Sequence, residues 1–229
     1  ADSAYNKQPH DLAGENLRAA PSDFMVDDKL IIGLDYTTQI FGTNDTRFSV
    51  LANRKSGRRY SLVYETGDSE ASITDGNWEA YDLIYVPTGV NDPNVVFASD
   101  AVASSVMNFL SSGCAAGFSG QIMTRNACKG DYATRIDLRI TQDIQVNDDQ
   151  KIVIYFDIQN LMNFLDDDKG WQTEIDTNSV SRAVSVDLDQ TTALGQLYIT
   201  GINEDAGLIY STDYGQSQWQ MNLGISYKF

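Results

Sequence analysis

Apolar and polar residues alternate along several stretches of the chain, most cleanly at its end. From Trp219 to Phe229, Trp219, Met221, Leu223, Ile225, Tyr227 and Phe229 share one face of an extended segment, while Gln220, Asn222, Gly224, Ser226 and Lys228 share the other. A strand sends successive side chains to opposite sides, so the segment has one apolar and one polar face. Aromatic residues stand at both ends of the apolar face. A transmembrane β-strand has this form: about 9–11 residues, apolar toward lipid, polar toward a lumen, aromatic at the two interfaces. The last strand of a soluble sandwich has the same period.

Other stretches repeat the pattern. In Lys29 to Phe41, Leu30, Ile32, Leu34, Tyr36 and Ile40 oppose Gly33, Asp35, Thr37 and Gln39. Gly42-Thr43-Asn44-Asp45 supplies turn chemistry. A returning strand starts at Thr46, with Phe48, Val50 and Ala52 against Ser49 and Asn53, and runs on through Arg54–Arg59 to Tyr60, Leu62 and Tyr64. The two predict a hairpin. In Tyr132 to Gln145, Ile136, Leu138, Ile140 and Ile144 oppose Arg135, Asp137, Arg139, Thr141 and Asp143. An ordinary soluble core does not take such a charged row on its inner face, whereas a water-filled lumen or a polar plug does. Arg135, Asp137 and Arg139 are therefore expected to face a lumen. After the turn Asn147–Gln150, Lys151 to Phe164 returns, with Ile152, Ile154, Phe156 and Ile158 against Tyr155, Asp157 and Gln159.

The intervening stretches differ. Residues 1–28 read as a polar loop or linker with Pro9, Pro21 and the single histidine, His10. Residues 66–130 read as a long irregular region. It holds one short apolar run, Leu83-Ile84-Tyr85-Val86-Pro87, and a helix from Ala101 to Leu110 capped by Asp100, with Val102, Val106 and Leu110 at helical spacing. Residues 165–218 form a second long polar region, in which Leu197-Tyr198-Ile199 and Leu208-Ile209-Tyr210 flank Asn203-Glu204-Asp205 as a hairpin. Long loops of this kind count against a compact soluble domain and suit the outer side of a large barrel. The fold class expected is all-β: antiparallel strands of a transmembrane β-barrel, with residues 29–229 as its C-terminal strands and extracellular loops. About five long strands are visible. An open sheet leaves edge N–H and C=O groups unsatisfied in hydrocarbon, and bacterial single-chain barrels have an even number of strands from eight upward. The chain is thus expected to be the C-terminal part of a larger barrel.

Composition narrows the partners. The chain has 229 residues, 42% hydrophobic and 10% aromatic, with a net charge of −16 and a pI of about 4.2. The acidity argues against nucleic acid, which selects basic patches, and suits solvated loops on a cell surface. No apolar run approaches the ~20 residues of a membrane helix, but barrel strands conceal their apolar residues in alternation. The opening A-D-S-A-Y-N-K lacks the basic and apolar regions of a signal peptide. Either that peptide has been removed or the chain is a piece of something longer.

Candidate chemistry is sparse. Cys114 and Cys128 make an even pair in an acidic, loop-rich chain, which predicts a disulfide. Their spacing fits no zinc motif, and C-x-x-C is absent. Asp166, Asp167 and Asp168, and Asn203, Glu204 and Asp205, offer hard oxygen ligands suited to Ca²⁺ without an EF-hand pattern, and equally read as solvated loop. Gly117-Phe118-Ser119-Gly120 is not a nucleophile elbow, and one histidine leaves no catalytic pair. No catalytic residue, cofactor or enzyme activity is expected.

Asn222-x-Gly224-x-x-Tyr227-x-Phe229 resembles the C-terminal signal that the barrel-assembly machinery reads on bacterial outer-membrane proteins. That signal ends in the periplasm, so the last strand runs inward. The turns at Gly42–Asp45 and Asn147–Gln150 are then periplasmic and short, and the 66–130 and 165–218 regions extracellular and long, as barrels require. Further segments resemble the Oar-like TonB-dependent receptors of the outer membrane. Arg54-Lys55-Ser56-Gly57-Arg58-Arg59-Tyr60-Ser61 is similar to that family's R-S-G-R-P-Y-S, with Arg59 in place of the proline. Leu83–Pro87, Arg125-Asn126 with Cys128, and Arg135-Ile136-Asp137-Leu138-Arg139-Ile140-Thr141-Gln142 follow in the family's order. Tyr155–Asn163 is similar to its penultimate strand with an N-L-x-N ending. The resemblance implies a 22-stranded barrel whose plug and energy-coupling box lie upstream of this chain, outer-membrane lipid around it, and an unidentified solute. The alternative is a structural or adhesive outer-membrane barrel that displays acidic loops.

Overall fold

The computed structural model describes residues 19–22, 24–66, 82–175, 180–189, 196–203, 210–212 and 214–229. Among them the chain is mostly β. In order it forms β1 (Lys29–Phe41), β2 (Asn44–Lys55), β3 (Arg59–Glu65), β4 (Tyr85–Val86), β5 (Val95–Phe97), α1 (Asp100–Leu110), a 3-10 turn at Gly113–Phe118, β6 (Gln121–Ile122) and β7 (Cys128–Lys129). Then follow β8 (Ala133–Asn147), β9 (Gln150–Gln159), α2 (Leu161–Leu165), β10 (Thr173–Ile175), β11 (Val180–Val186), β12 (Leu197–Ile202), β13 (Tyr210–Thr212), α3 (Tyr214–Ser217) and β14 (Gln220–Lys228). No helix among the described residues is long and apolar enough to cross a membrane, which says nothing of crossing by strands. The chain divides into two compact units, Ala1–Met25 with Arg58–Gly130 and Ile175–Ser211, and Val26–Gly57 with Asp131–Glu174 and Thr212–Phe229.

The second unit is one antiparallel sheet in the order β1-β2-β8-β9-β14. Its five strands each overlap one of the five long alternating stretches of the sequence. Gly42, at φ +67°, makes the turn from β1 to β2, a conformation that costs a side-chain-bearing residue strain. Between β8 and β9 the Asn147 side chain accepts from the Asp149 N–H at 3.1 Å. Lys228 pairs with Lys151 at the β8–β9 turn, so the C-terminus lies at the same end of the sheet as that turn. The Gln145 N–H bonds the Asn44 side chain at 3.0 Å, which places the β1–β2 turn there too. Every longer connection therefore leaves the sheet at its other end.

The first unit has a conventional core. Its main sheet runs β5-β12-β11-β3-β7, with β11 parallel to β3 and β12 parallel to β5. Tyr64, Ile84, Val106, Leu110, Val184 and Ile199 are all at most 1% exposed. Burying each such side chain stabilises the fold by about 1.5–3 kcal/mol.

Several expectations are corrected here. The returning strand from Thr46 does not run through to Tyr64. It stops at Lys55 and resumes at Arg59 in the other sheet. Ser56 breaks it: 2% exposed, its backbone N–H bonds the Asp28 carbonyl at 2.9 Å and its hydroxyl accepts from the Asp27 N–H at 3.0 Å. Beyond the break both faces are covered, with Ser61, Leu62, Val63 and Tyr64 all buried. The strand from Lys151 ends at Gln159, because Asn160 turns into the left-handed region at φ +54° and opens α2. The N-cap of α1 is Ser99, whose hydroxyl accepts from the Val102 N–H at 3.3 Å, while Asp100 stands in the first turn. The described part of the 66–130 region is no structureless loop, since Leu83, Ile84 and Val86 are core residues. Leu197–Ile202 pairs with β11 and β5, while Leu208 and Ile209 of the expected hairpin lie outside the described residues.

Candidate functional site: a two-faced sheet and its last strand

Strand register assembles the two faces of the five-stranded sheet. Leu34, Val50, Leu138, Ile158 and Met221 are successive partners across all five strands, and so are Tyr36, Phe48, Ile140, Phe156 and Leu223. These rows form one apolar face. At the sheet's two edges it lies open: Leu34 is 64% exposed, Tyr36 65%, Leu223 74% and Ile225 71%. The central strands of this face are half-buried or buried, so its exposed apolar surface lies along β1 and β14.

The opposite face is charged. Asp35, Ser49, Arg139, Asp157 and Asn222 are successive partners across it. Arg139 meets Asp157 with two parallel bonds, Nε–Oδ1 at 2.6 Å and Nη2–Oδ2 at 2.7 Å. Arg135 bonds Asp137 at 2.8 Å and the Gln159 side chain at 3.0 Å. Lys151 bonds Asp143 at 2.6 Å, and the Ser49 hydroxyl donates to Asp35. Arg135, Asp137 and Arg139 thus share one face, opposite Ile136, Leu138 and Ile140, and each is held by a neighbour on that face.

The last strand carries the residues of the resembled signal. Asn222 lies opposite Asp157, Gly224 opposite Tyr155 and Tyr227 opposite Ile152. The Tyr227 ring stacks on Phe229, centroids 5.9 Å apart, and Phe229 is 94% exposed. At the other end Trp219 meets Phe164 edge-on at 5.3 Å. Tyr155 lays its ring over Gly224: a Cβ on that glycine would stand 2.6 Å from Cε1 and closer still to Cζ and the hydroxyl. The Arg139 guanidinium approaches the same ring at 5.6 Å.

The entry to the last strand is fastened by the Asn160-Leu161-Met162-Asn163 segment. Asn160 is 1% exposed; its amide nitrogen donates to the carbonyls of Gly170 and Ser217, and its backbone N–H to Asp137. Asn163 donates to the Asp167 and Lys169 carbonyls and accepts from the Trp219 N–H at 3.2 Å. Gly170, at φ +72°, is required here, because a Cβ would strike the Asn160 side chain. Neither Tyr155 nor Asn160 stands out by residue type. The N-L-x-N ending and the glycine in the last strand were the available signals.

Cys114 and Cys128 are disulfide-bonded, their Cα atoms 5.1 Å apart, in the cored unit. The carboxylates of Asp166, Asp167 and Asp168 gather within 4.8 Å of one another. Lys169 bonds Asp166 at 2.8 Å, and that contact with the Asp168 N–H holds the Asp166 carboxyl below its ordinary value. Asn203 follows β12, its N–H bonding the Ala183 carbonyl at 3.0 Å. Glu204, Asp205 and His10 lie outside the described residues. Sequence reading also missed Asp92, 5% exposed, which accepts from the Thr88 N–H and hydroxyl, the Tyr85 hydroxyl and the Asn94 N–H at 2.8–3.0 Å. Burial pushes its carboxyl up, but these bonds outweigh that and hold it down at about 2. Burial also raises the Tyr64 phenol.

No protein-family model, no curated protein and no solved structure matches the chain. The fold itself defines a mostly β protein that joins a cored mixed-sheet unit to an antiparallel sheet with one apolar and one charged face.

Proposed function

We propose that the five-stranded sheet is a section of the wall of a bacterial outer-membrane β-barrel, apolar face to lipid and charged face to the lumen. The chain would then be the C-terminal portion of a TonB-dependent receptor, as the sequence resemblance suggests, supplying wall, surface loops and the assembly signal Asn222-x-Gly224-x-x-Tyr227-x-Phe229. The observation that carries this is the sorting of side chains by register: two apolar rows cross all five strands, and every ion pair of the sheet lies on the other side. A charge on the lipid side of a barrel costs on the order of 2–4 kcal/mol near the midplane, and a lumen position carries no such cost.

The sheet's two edges, β1 and β14, leave backbone donors and acceptors that hydrocarbon cannot satisfy. Upstream strands of the same receptor complete them, and an upstream plug and coupling segment supply gating and energy. This chain's own part in solute passage is passive: it excludes lipid and lines the lumen with self-compensated charge. Regions 66–130 and 165–218 face the cell exterior. Their acidity, within a net charge of −16, keeps them solvated and disfavours nucleic acid.

Membrane fractionation followed by carbonate extraction tests the proposal. The protein is expected in the outer-membrane pellet, resistant to extraction. Recovery as a soluble monomer without detergent would sink it.

A further inference from the structure

The apolar and polar residues of β14 repeat every two positions. A slip of one residue against β9 would turn the apolar row into the charged face and is rejected for that reason. A slip of two leaves every side chain on its proper face, so alternation is blind to it. Something else must select the observed register, in which Gly224 opposes Tyr155 and Tyr227 opposes Ile152.

We propose that Tyr155 sets the absolute register of the last strand through Gly224. The polar row of β14 reads Gln220, Asn222, Gly224, Ser226 and Lys228, and only one of these lacks a Cβ. A slip of two in either direction brings Asn222 or Ser226 opposite Tyr155, where the ring occupies the space a Cβ needs. The ring is not free to yield without cost. Arg139, itself bonded twice to Asp157, stands 5.6 Å from its centre. Alternation excludes odd slips and the Tyr155–Gly224 contact excludes even ones, so together they leave one alignment. A slip of two would displace the chain's terminal aromatics by about 6.4–6.8 Å relative to the β8–β9 turn. The glycine of the resembled assembly signal thereby acquires a role inside the fold, whether or not the sheet lies in lipid.

Paired cysteines read the register directly in the full chain refolded in detergent micelles. Ile154→Cys with Ile225→Cys joins residues opposed in the observed register, and Ile154→Cys with Tyr227→Cys joins those opposed after a slip of two. In the parent sequence the 154–225 link should form under mild oxidation. Moving the glycine, with Gly224→Ser and Ser226→Gly together, should change the ratio of the two links by about tenfold or more toward 154–227, because an overpacked contact is replaced by an open one. Adding Tyr155→Ala should erase that preference. Persistence of the parent ratio after the glycine is moved, or of the shifted ratio after Tyr155→Ala, overturns the proposal. If the moved-glycine protein fails to fold, Gly224→Ser alone is compared with Gly224→Ser plus Tyr155→Ala. Restored folding in the pair supports the contact, and no restoration overturns it. The membrane assignment fails separately, by release in carbonate, without altering the ratio of links.

Discussion

Arg139 and Asp157 close a two-pronged ion pair across neighbouring strands, and their immediate neighbours Leu138 and Ile158 pair on the opposite face. One residue of register separates a charge held by a partner from a side chain meant for an apolar medium. Leu138→Arg should therefore impair assembly by about 2–4 kcal/mol if the apolar face meets lipid. Arg139→Leu should cost about 1 kcal/mol or less, since Arg139 is 59% exposed and the pair is screened. Folding yield in lipid vesicles, read by heat-modifiable gel mobility, ranks the two. The reverse ranking would show that the faces are assigned backward.

The disulfide ties the 3-10 turn to β7 across a separation of 14 residues, with Cys128 fully buried. Closing a loop of that size stabilises the fold by about 3 kcal/mol in the chain-entropy model. Reduction should lower the unfolding midpoint of the cored unit while leaving the cross-strand pairs of the sheet in register. Mass spectrometry of unreduced, alkylated protein should find no free thiol, and two free thiols would refute the bond.

Asp92 gives the cored unit an acid limit. Its folded carboxyl titrates at about 2 against an ordinary 3.8. A depressed folded value means that the contribution is complete above the ordinary value and is lost as pH falls from there toward 2; its size is about 2 kcal/mol. Urea unfolding at neutral pH and near pH 2 should show that loss in the parent and not in Asp92→Asn. An equal acid loss in both proteins would assign the sensitivity to other groups.

Asn160 joins the end of β9 to the entry of β14 through the Gly170 and Ser217 carbonyls. Asn160→Ala leaves those buried acceptors and should cost about 1–3 kcal/mol. Hydrogen exchange should then quicken at the start of β14 before it does at β1 and β2. Uniform acceleration over the sheet would mean that Asn160 acts on global stability rather than on this junction.

The five strands of the large sheet were legible because each displays its alternation on a face that nothing apolar covers from the charged side. Lys29–Phe41 reads correctly to the residue for that reason. Strands of the cored unit were less legible. In β11, Val180, Ser181, Ala183, Val184 and Val186 are all buried, so burial on both faces removes the period on which recognition depends. The break at Ser56 was hidden because Tyr60, Leu62 and Tyr64 resume the parity of Phe48, Val50 and Ala52 beyond it; what ends the strand is a contact with Asp27 and Asp28, remote in sequence. Helix α1 showed its apolar spacing, but its cap lay one residue earlier than expected. Tyr155, Asn160 and Asp92 owe their roles to partners brought together by folding, which no local pattern records.

The sheet contains four successive antiparallel pairings, and the two outermost strands, β1 and β14, consequently point the same way. A second copy set alongside would bring β14 of one against β1 of the other as parallel neighbours, with evenly spaced slanted bonds in place of the perpendicular antiparallel ones. A ring of such copies would carry one mismatched seam per subunit. Any cylinder that keeps all its neighbours antiparallel must instead insert an odd number of strands between Phe229 and Lys29, so the direction of two strands at opposite margins already restricts what can close the wall.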